Sequence, residues 1–350
     1  MQKKEHRIFF MLLGALAVLG LVLTFYRSEE PETRPLVRWE GRTMGTNYLI
    51  QLVGHELPEA EKTRLRNLVE AELEAVNLSM STYLAESEIS RLNAFGETTP
   101  FEVSARFREV LAKAIELHEA MEGAFDPTMG PLIDLWGFDR GAVPETTPSE
   151  EAIAELLAKT GMEHLELGEE GVSKAVPELQ INLSAIAKGY AVDRVASLLL
   201  QEGFLDLYVE IGGDLVVRGL NPRGLPWRIG IQRPQFDAPE EPEHVLGLQR
   251  GAIATSGDYR NFHEVDGKLT HHILDPATGR SVQNNLTSVT VYAPDCMTAD
   301  AIATGLFVMG MEKGMAWVEN RPGIEALMIG RKDGEFEVRM TPGMERMRVH

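Results

Sequence analysis

Residues 298–305, TADAIATG, place an acid and a hydroxyl in an otherwise apolar segment. If this segment is helical, Asp300 and Thr304 stand one above the other on the same face. Two oxygen donors of this kind suit Mg²⁺, which keeps several waters and also binds substrate phosphates. The same pair could instead be a buried aspartate satisfied by a neighbour and a threonine bonded back to its own helix. The residues alone leave both interpretations open.

A second candidate for chemistry is the segment 182–193, NLSAIAKGYAVD. Lys188 and Gly189 lie near the start of a predicted helix, and a helix N-terminus with one lysine can bind a phosphate. The spacing is not that of a P-loop, so a nucleoside triphosphate site is not indicated. A solvated lysine is the alternative.

Gly212 and Gly213 follow a predicted strand, where they fit either an anion-binding nest or a plain tight turn.

Two more segments carry polar groups in turn-rich surroundings. The stretch 123–132, GAFDPTMGPL, holds Asp126 in an Asp-Pro turn, within a loop too long to be a simple connector. The stretch HHILDPATG holds His271 and His272, which would point to opposite faces of a strand and could not easily share a metal. One inward histidine is a candidate proton acceptor, and ordinary packing is the alternative.

Composition excludes some classes of protein. The chain has 350 residues, a formal net charge of −19 and 44% hydrophobic residues. Such an acidic chain is not expected to bind nucleic acid through a general basic patch, and an anionic ligand would need local groups to hold it. Its single cysteine, Cys296, cannot form an internal disulfide or a thiolate metal cluster.

The N-terminus predicts a membrane anchor. Residues 1–7 are basic and residues 8–25 carry no charge, a length near the minimum for a spanning helix. Because the lysines and the arginine precede the span, the tail is expected in the cytoplasm and the body on the extracytoplasmic side. No small-residue cleavage site follows, so we expect a single uncleaved anchor, with a cleaved signal peptide as the alternative. Residues 26–36 form a polar tether, and 37–345 form the main domain.

Strands and helices are intermixed along the domain without a regular βαβ repeat. We therefore predict an α+β fold with a large, largely antiparallel central sheet flanked by helices. In the first half of the domain we expect a strand over 37–54, a helix over 56–81, a helix that begins after Ser104, a helix between Ser149 and Gly161, and a short strand that runs into a helix ending at Gly203. In the second half we expect strands over 206–220, 226–234, 247–257 and 288–294, the TADAIATG helix, a helix over 311–319, and strands over 324–329 and 335–340.

Together and in this order, the motifs resemble the ApbE-type FAD:protein FMN transferase family. The resemblance covers about residues 37–340. The matching stretches are MGTNY (44–48), STY (81–83), GAFDPTMGPL (123–132), AIAKGYAVD (185–193), IGGDL (211–215), TSGDYRN (255–261), HILDPATGR (272–280) and ADAIATG (299–305).

The resemblance implies an activity. Family members use Mg²⁺ to move the FMN half of FAD onto a Ser or Thr of an acceptor flavoprotein, with release of AMP. Acceptors are typically subunits of membrane electron-transfer complexes that face the extracytoplasmic side, which agrees with the predicted anchor. Two alternatives remain: an FAD pyrophosphatase giving FMN and AMP, and a membrane-tethered flavin-binding protein without catalysis.

The resemblance also assigns residues. It implies Mg²⁺ ligands at Asp300, Thr304 and, through its carbonyl, Ala185, and it makes His272 the base to test. Many relatives carry aspartate at the position of Asn182. Some relatives also carry a second aspartate ligand at the position of Ala303, and in this chain a carbonyl or a water would have to take the place of that ligand. The implied FAD contacts are Met44, Tyr83, Ala124, Phe125, Asp126, Asn182, Lys188 and Leu274.

Overall fold

The computed structural model describes residues 33–234, 242–258 and 261–349. The expected cytoplasmic tail and anchor, residues 1–25, and the tether up to residue 32 lie outside the described residues. Within the described part, no helix is long and apolar enough to cross a membrane.

An eight-stranded antiparallel sheet forms the centre of the fold. Four two-stranded ribbons complete the strands of the described residues. The predicted α+β architecture with a large antiparallel sheet is confirmed. The strands are β1 Leu36–Thr43, β2 Thr46–Val53, β3 Leu165–Leu167, β4 Val172–Lys174, β5 Leu207–Ile211, β6 Asp214–Arg218, β7 Trp227–Ile231, β8 His244–Leu248, β9 Arg250–Gly257, β10 Phe262–Val265, β11 Lys268–His271, β12 Leu274–Asp275, β13 Arg280–Ser281, β14 Leu286–Ala293, β15 Glu325–Lys332 and β16 Glu335–Met340. The strands of the central sheet are hydrogen-bonded in the order β1-β2-β5-β6-β9-β14-β15-β16.

Helices cover one face of the sheet, where their apolar sides and the inward strand residues form the main core. A smaller core on the opposite face is closed by the β7–β8 ribbon and the C-terminal helix. The helices are α1 Glu59–Met80, α2 Glu88–Ala94, α3 Ala105–Ala120, α4 Gly130–Leu135, α5 Glu150–Leu157, α6 Ser184–Gln201, α7 Cys296–Met309, α8 Met311–Glu319 and α9 Pro342–Met347, with a 3₁₀ turn at Met162–His164.

Local capping signals in the sequence predicted helix starts correctly. The Ser104 hydroxyl accepts the Phe107 N–H at the start of α3, and the Ser149 hydroxyl accepts the Ala152 N–H at the start of α5. Gly203 follows α6 with a φ of +93°, as expected of a glycine that ends a helix. These contacts are local in sequence, which is why residue type and spacing were enough to find them.

Two local predictions were wrong, and some short elements were not predicted. The segment 37–54 is a hairpin rather than one strand, because Met44 and Gly45 both adopt positive φ, +49° and +74°, and turn the chain back. No strand runs directly into α6, since residues 181–183 are irregular. The helix α9 was not predicted.

At the β5–β6 connection, the plain tight turn is confirmed among the two alternatives. Gly212 and Gly213, with φ of +59° and +93°, form a two-residue hairpin turn.

Helices α6 and α7 cross closely, and a glycine makes this possible. A Cβ added to Gly189 would overlap the Cys296 carbonyl and lie 2.8 Å from the Met297 backbone nitrogen. Backbone atoms cannot move aside as a flexible side chain can. Gly189 therefore allows the first turn of α7 to rest directly on α6.

We expect the substitution Gly189→Ala to destabilise the protein by about 1–3 kcal/mol, because the methyl group overpacks the crossing. In an open helix the same change would stabilise by about 1 kcal/mol, so the sign identifies the cause. Denaturant unfolding of the purified domain measures it.

The matched control is Gly96→Ala, since a Cβ there meets nothing within 4 Å. It should leave the unfolding free energy almost unchanged. Equal stability of the two variants would contradict a steric role for Gly189.

Candidate functional site

A lysine lies between two buried carboxylates where α6, α7 and β6 meet. The Lys188 ammonium forms an ion pair with Asp214 Oδ2 and lies 3.4 Å from Asp300 Oδ1. Asp214 is fully buried and Asp300 is 4% exposed, whereas the Lys188 side chain is 30% exposed. We call these three residues the Lys188 cluster.

Each member of the Lys188 cluster is positioned by a feature of the fold. Lys188 stands in the second turn of α6, and Asp300 in the second turn of α7, which the Gly189 crossing brings against it. The Gly189 N–H donates to Asp300 Oδ2 at 3.0 Å and fixes that carboxylate. Asp214 is the first residue of β6, directly after the glycine turn, and its Oδ1 accepts the Thr255 N–H at 3.3 Å.

The electrostatics of the cluster favour a cation. Burial raises the pKa of Asp300 above its usual range, the Lys188 ammonium opposes that rise, and Asp214 adds to it. Burial alone would lower the pKa of Lys188, but the two carboxylates outweigh it and raise the pKa, so the lysine stays charged. Two buried carboxylates against one ammonium leave an excess of negative charge that a further cation would neutralise.

Hydroxyl groups border the cluster on the β9 side. Thr304 lies one helical turn beyond Asp300, as the spacing predicted, and its Oγ1 lies 3.2 Å from Ser256 Oγ. Thr255 and Thr290 pair through their hydroxyls at 2.9 Å. The site therefore presents oxygen atoms from a helix and from the neighbouring strand.

The donor set fits a cation that prefers oxygen. Asp300 supplies a carboxylate and Thr304 a hydroxyl. In a regular helix the Gly189 N–H would bond the Ala185 carbonyl, and its donation to Asp300 competes with that bond. Within the described residues, no group of three or more His, Cys, Asp or Glu side chains could hold a metal ion. A single carboxylate with few other protein ligands is the pattern of Mg²⁺ sites that share the ion with phosphate.

A second polar group lies before α6 and is organised by Asp139, which the sequence analysis missed. The Thr82 hydroxyl donates to Asp139 Oδ1 at 3.0 Å, and Asn182 Nδ2 donates to Oδ2 at 3.3 Å. Asn182 Oδ1 in turn accepts the Ser184 N–H at 2.9 Å at the first residue of α6. The neighbouring Tyr83 is 68% exposed.

The turn at Asp126 is held by its own hydrogen bonds. Asp126 Oδ1 accepts the N–H and the hydroxyl of Thr128 at 2.7 and 2.6 Å, and burial raises the pKa of this carboxyl. Phe125 is 2% exposed, and its carbonyl lies 2.9 Å from His118 Nδ1. Ala124 is half-buried against the main core. The structural interpretation of the Asp-Pro turn is therefore confirmed for the side-chain oxygen Oδ1.

His272 and Leu274 lie beside the long loop rather than on the α6–α7 crossing. His272 Nδ1 lies 3.1 Å from the Asn261 carbonyl, and its ring centroid lies 6.3 Å from that of Phe138. Leu274 is 6% exposed in the small apolar cluster that Phe138 shares. His271 bonds the Val282 carbonyl through Nε2 at 3.1 Å, and burial lowers its pKa, so it is a neutral packing residue.

The structure thus brings some of the predicted residues together. Ala185 and Lys188 stand three residues apart in the N-terminal part of α6, and Asn182 lies two residues before the helix, so this segment connects the Asp139 group to the Lys188 cluster. Asp300 and Thr304 join them from α7. Met44, in the β1–β2 turn, is partly buried against the main core.

Comparison with known proteins places the chain in a family. Residues 44–328 match the ApbE family. A Vibrio cholerae protein named FAD:protein FMN transferase is 44% identical over 322 residues, covering 92% of this chain and 95% of that protein. An Escherichia coli K12 protein of the same name is 38% identical over 307 residues, covering 87% and 86%.

Solved structures agree with the sequence comparison. The Vibrio cholerae flavin transferase ApbE superposes with a TM-score of 0.82 at 42% identity and covers 90% of this chain and 99% of that one. The apo form of the Pseudomonas stutzeri flavinyl transferase ApbE superposes with a TM-score of 0.79 at 36% identity, covering 90% and 97%. This chain, with its Lys188 cluster at the crossing of α6 and α7, belongs to the ApbE family.

Proposed function

We propose that this protein is an FAD:protein FMN transferase that moves FMN from FAD onto a Ser or Thr hydroxyl of an acceptor flavoprotein and releases AMP. The observation that carries the proposal is the Lys188 cluster, a local positive charge beside oxygen ligands in a chain with a net charge of −19. Such a chain repels a pyrophosphate at long range, so local groups must hold it. The names of the relatives support the same activity.

The reaction is a displacement at the FMN-side phosphorus. The acceptor oxygen forms a new bond to that phosphorus, the bond to the AMP oxygen breaks, and AMP leaves with the bonding pair. Catalysis of phosphoryl transfer is mostly positioning and neutralisation of charge. Lys188, at the N-terminal part of α6, neutralises phosphate oxygens together with the helix dipole.

Asp300, Thr304 and the Ala185 carbonyl would hold Mg²⁺ beside Lys188. When bound there, the ion supplies charge neutralisation at the pyrophosphate and at the departing phosphate. Burial of Asp300 makes that carboxylate a strong partner for a cation, because its negative charge is poorly compensated by the single ammonium.

His272 is the proposed base for the acceptor hydroxyl. A carbonyl oxygen only accepts hydrogen bonds, so the contact with Asn261 places the proton of the neutral ring on Nδ1. That tautomer puts the lone pair of the ring on Nε2, which is the form a general base needs.

The remaining proposed contacts to FAD come from five segments. Met44 and Tyr83 would contribute from the β1–β2 turn and from the loop after α1. The 124–126 turn and Leu274 would contribute backbone and apolar surface near the long loop, and Asn182 would contribute at the start of α6. Because Asp126 Oδ1 is committed to Thr128, we expect this turn to use its backbone or Oδ2 rather than Oδ1.

One assay separates transfer from its alternatives. The purified protein is incubated with FAD, Mg²⁺ and an acceptor flavoprotein domain, and flavin is followed after denaturing electrophoresis and by chromatography. We expect flavin fluorescence that stays with the acceptor and an equal amount of AMP. Free FMN and AMP without labelled acceptor would indicate a pyrophosphatase, and intact FAD would indicate a binding protein.

We expect Asp300→Asn to lower Mg²⁺-dependent turnover by about 100-fold or more, because it removes the carboxylate and keeps the shape. The fold should survive, since the amide oxygen can still accept the Gly189 N–H. The matched control is Asp295→Asn, five residues earlier, where Asp295 caps α7 and asparagine caps equally well. Full activity of Asp300→Asn at limiting Mg²⁺ would contradict the metal assignment.

We further propose that the catalytic domain works on the extracytoplasmic side of the cytoplasmic membrane, held by the anchor at 8–25. Full-length protein should then sediment with membranes and resist salt extraction, and a variant lacking residues 1–32 should remain in the supernatant. The intact mass of the native protein tests whether the anchor is retained. Recovery of the full-length chain in the supernatant would contradict the anchor.

A further inference from the structure

Asp214 is a fully buried carboxylate directly after the two glycines of the β5–β6 turn. Its Oδ2 pairs with the Lys188 ammonium and its Oδ1 accepts the Thr255 N–H. Both oxygens are therefore engaged inside the protein. Because a buried carboxylate without a partner is costly, Asp214 and Lys188 depend on each other.

The position of Lys188 is set mainly by Asp214. Its ammonium makes closer contact with Asp214 than with Asp300, which is 3.4 Å away. An ammonium has three N–H donors, and these two contacts direct two of them toward carboxylates. The side chain keeps 30% of its surface exposed, whereas Asp214 has almost none.

A divalent cation at Asp300 would change this balance. The Asp300 carboxylate, which Lys188 now approaches, would coordinate the cation, and the cation would repel the ammonium. A lysine with Asp300 as its sole anchor would either stay there and exclude the cation or swing away into solvent. A second carboxylate on the other side of the ammonium removes that conflict.

We propose that Asp214 is a positioning residue, which holds the Lys188 ammonium off Asp300 so that the lysine and a divalent cation can act side by side on one pyrophosphate. The inference rests on the proposed function and adds to it. Asp214 touches neither substrate nor cation, and it acts through Lys188.

The experiment measures Mn²⁺ binding to the FAD-free protein by electron paramagnetic resonance. In Asp214→Asn the lysine keeps Asp300 as its remaining carboxylate partner, so we expect the Mn²⁺ dissociation constant to rise by about tenfold. In the double variant Asp214→Asn/Lys188→Met the competing ammonium is gone, and the dissociation constant should return to the wild-type value or below. Flavin transfer should stay low in both variants, because neither places an ammonium at the phosphates.

The double variant separates positioning from simple damage to the fold. A purely structural role for Asp214 would leave the double variant no better at binding Mn²⁺ than the single one. The control is Glu72→Gln, which removes a largely buried carboxylate that pairs with Arg106 and Arg194. It changes the charge by the same amount and should leave the Mn²⁺ affinity unchanged, and thermal unfolding verifies that each variant is folded.

The outcomes distinguish this inference from the proposed function. If Asp214→Asn binds Mn²⁺ with wild-type affinity, or if the double variant shows no recovery, the proposed role of Asp214 is overturned. The proposed function is not affected by either result. Absence of Mn²⁺ binding by the wild-type protein overturns the metal assignment and the inference with it. Weaker binding that recovers when Lys188 is also replaced supports the proposal.

Discussion

The close crossing of α6 and α7 is the constraint on which the site depends. Gly189 lets the backbone at Cys296 and Met297 rest on α6, and its N–H, at 3.0 Å, binds the Asp300 carboxylate. One residue thus sets both the distance between the helices and the orientation of the acid. A side chain at this point would separate the helices and move Asp300 away from Lys188 at the same time. Packing and chemistry are coupled here because the same backbone turn serves both.

The charge arrangement follows from that packing. Helices that cross so closely exclude water, and this makes the carboxylates of the cluster strong partners for positive charge. One lysine compensates two acids only in part. In a chain with a net charge of −19, this local excess of negative charge suits a cation shared with an anionic ligand, whereas a phosphate alone would be repelled. The net charge and the Lys188 cluster therefore support the proposed joint binding of a cation and a pyrophosphate.

Sequence reasoning found what depends on local spacing. The stacking of Asp300 and Thr304, the Ser104 and Ser149 caps and the apolar faces of the helices all follow from helical periodicity. It missed features that arise from pairing between distant segments. Asp214 joins Lys188 only because β6 lies beside β9 and under α6, and Asp139 meets Asn182 across 43 positions. The β1–β2 hairpin was missed because Met44 adopts a positive φ that its side chain does not favour.

The residue at position 303, an alanine, limits the number of protein carboxylates beside Asp300. It is fully buried beside Asp300, at a position where the resemblance puts a second acid in some relatives. A carboxylate here would be a further buried negative charge, and Lys188 is already shared between two acids. With alanine, a cation at Asp300 has one protein carboxylate, so water and phosphate oxygens must supply more of its coordination. Water molecules can fill those positions when FAD is absent, so a cation can still bind, and the pyrophosphate should strengthen that binding because its oxygens replace the waters and share the charge.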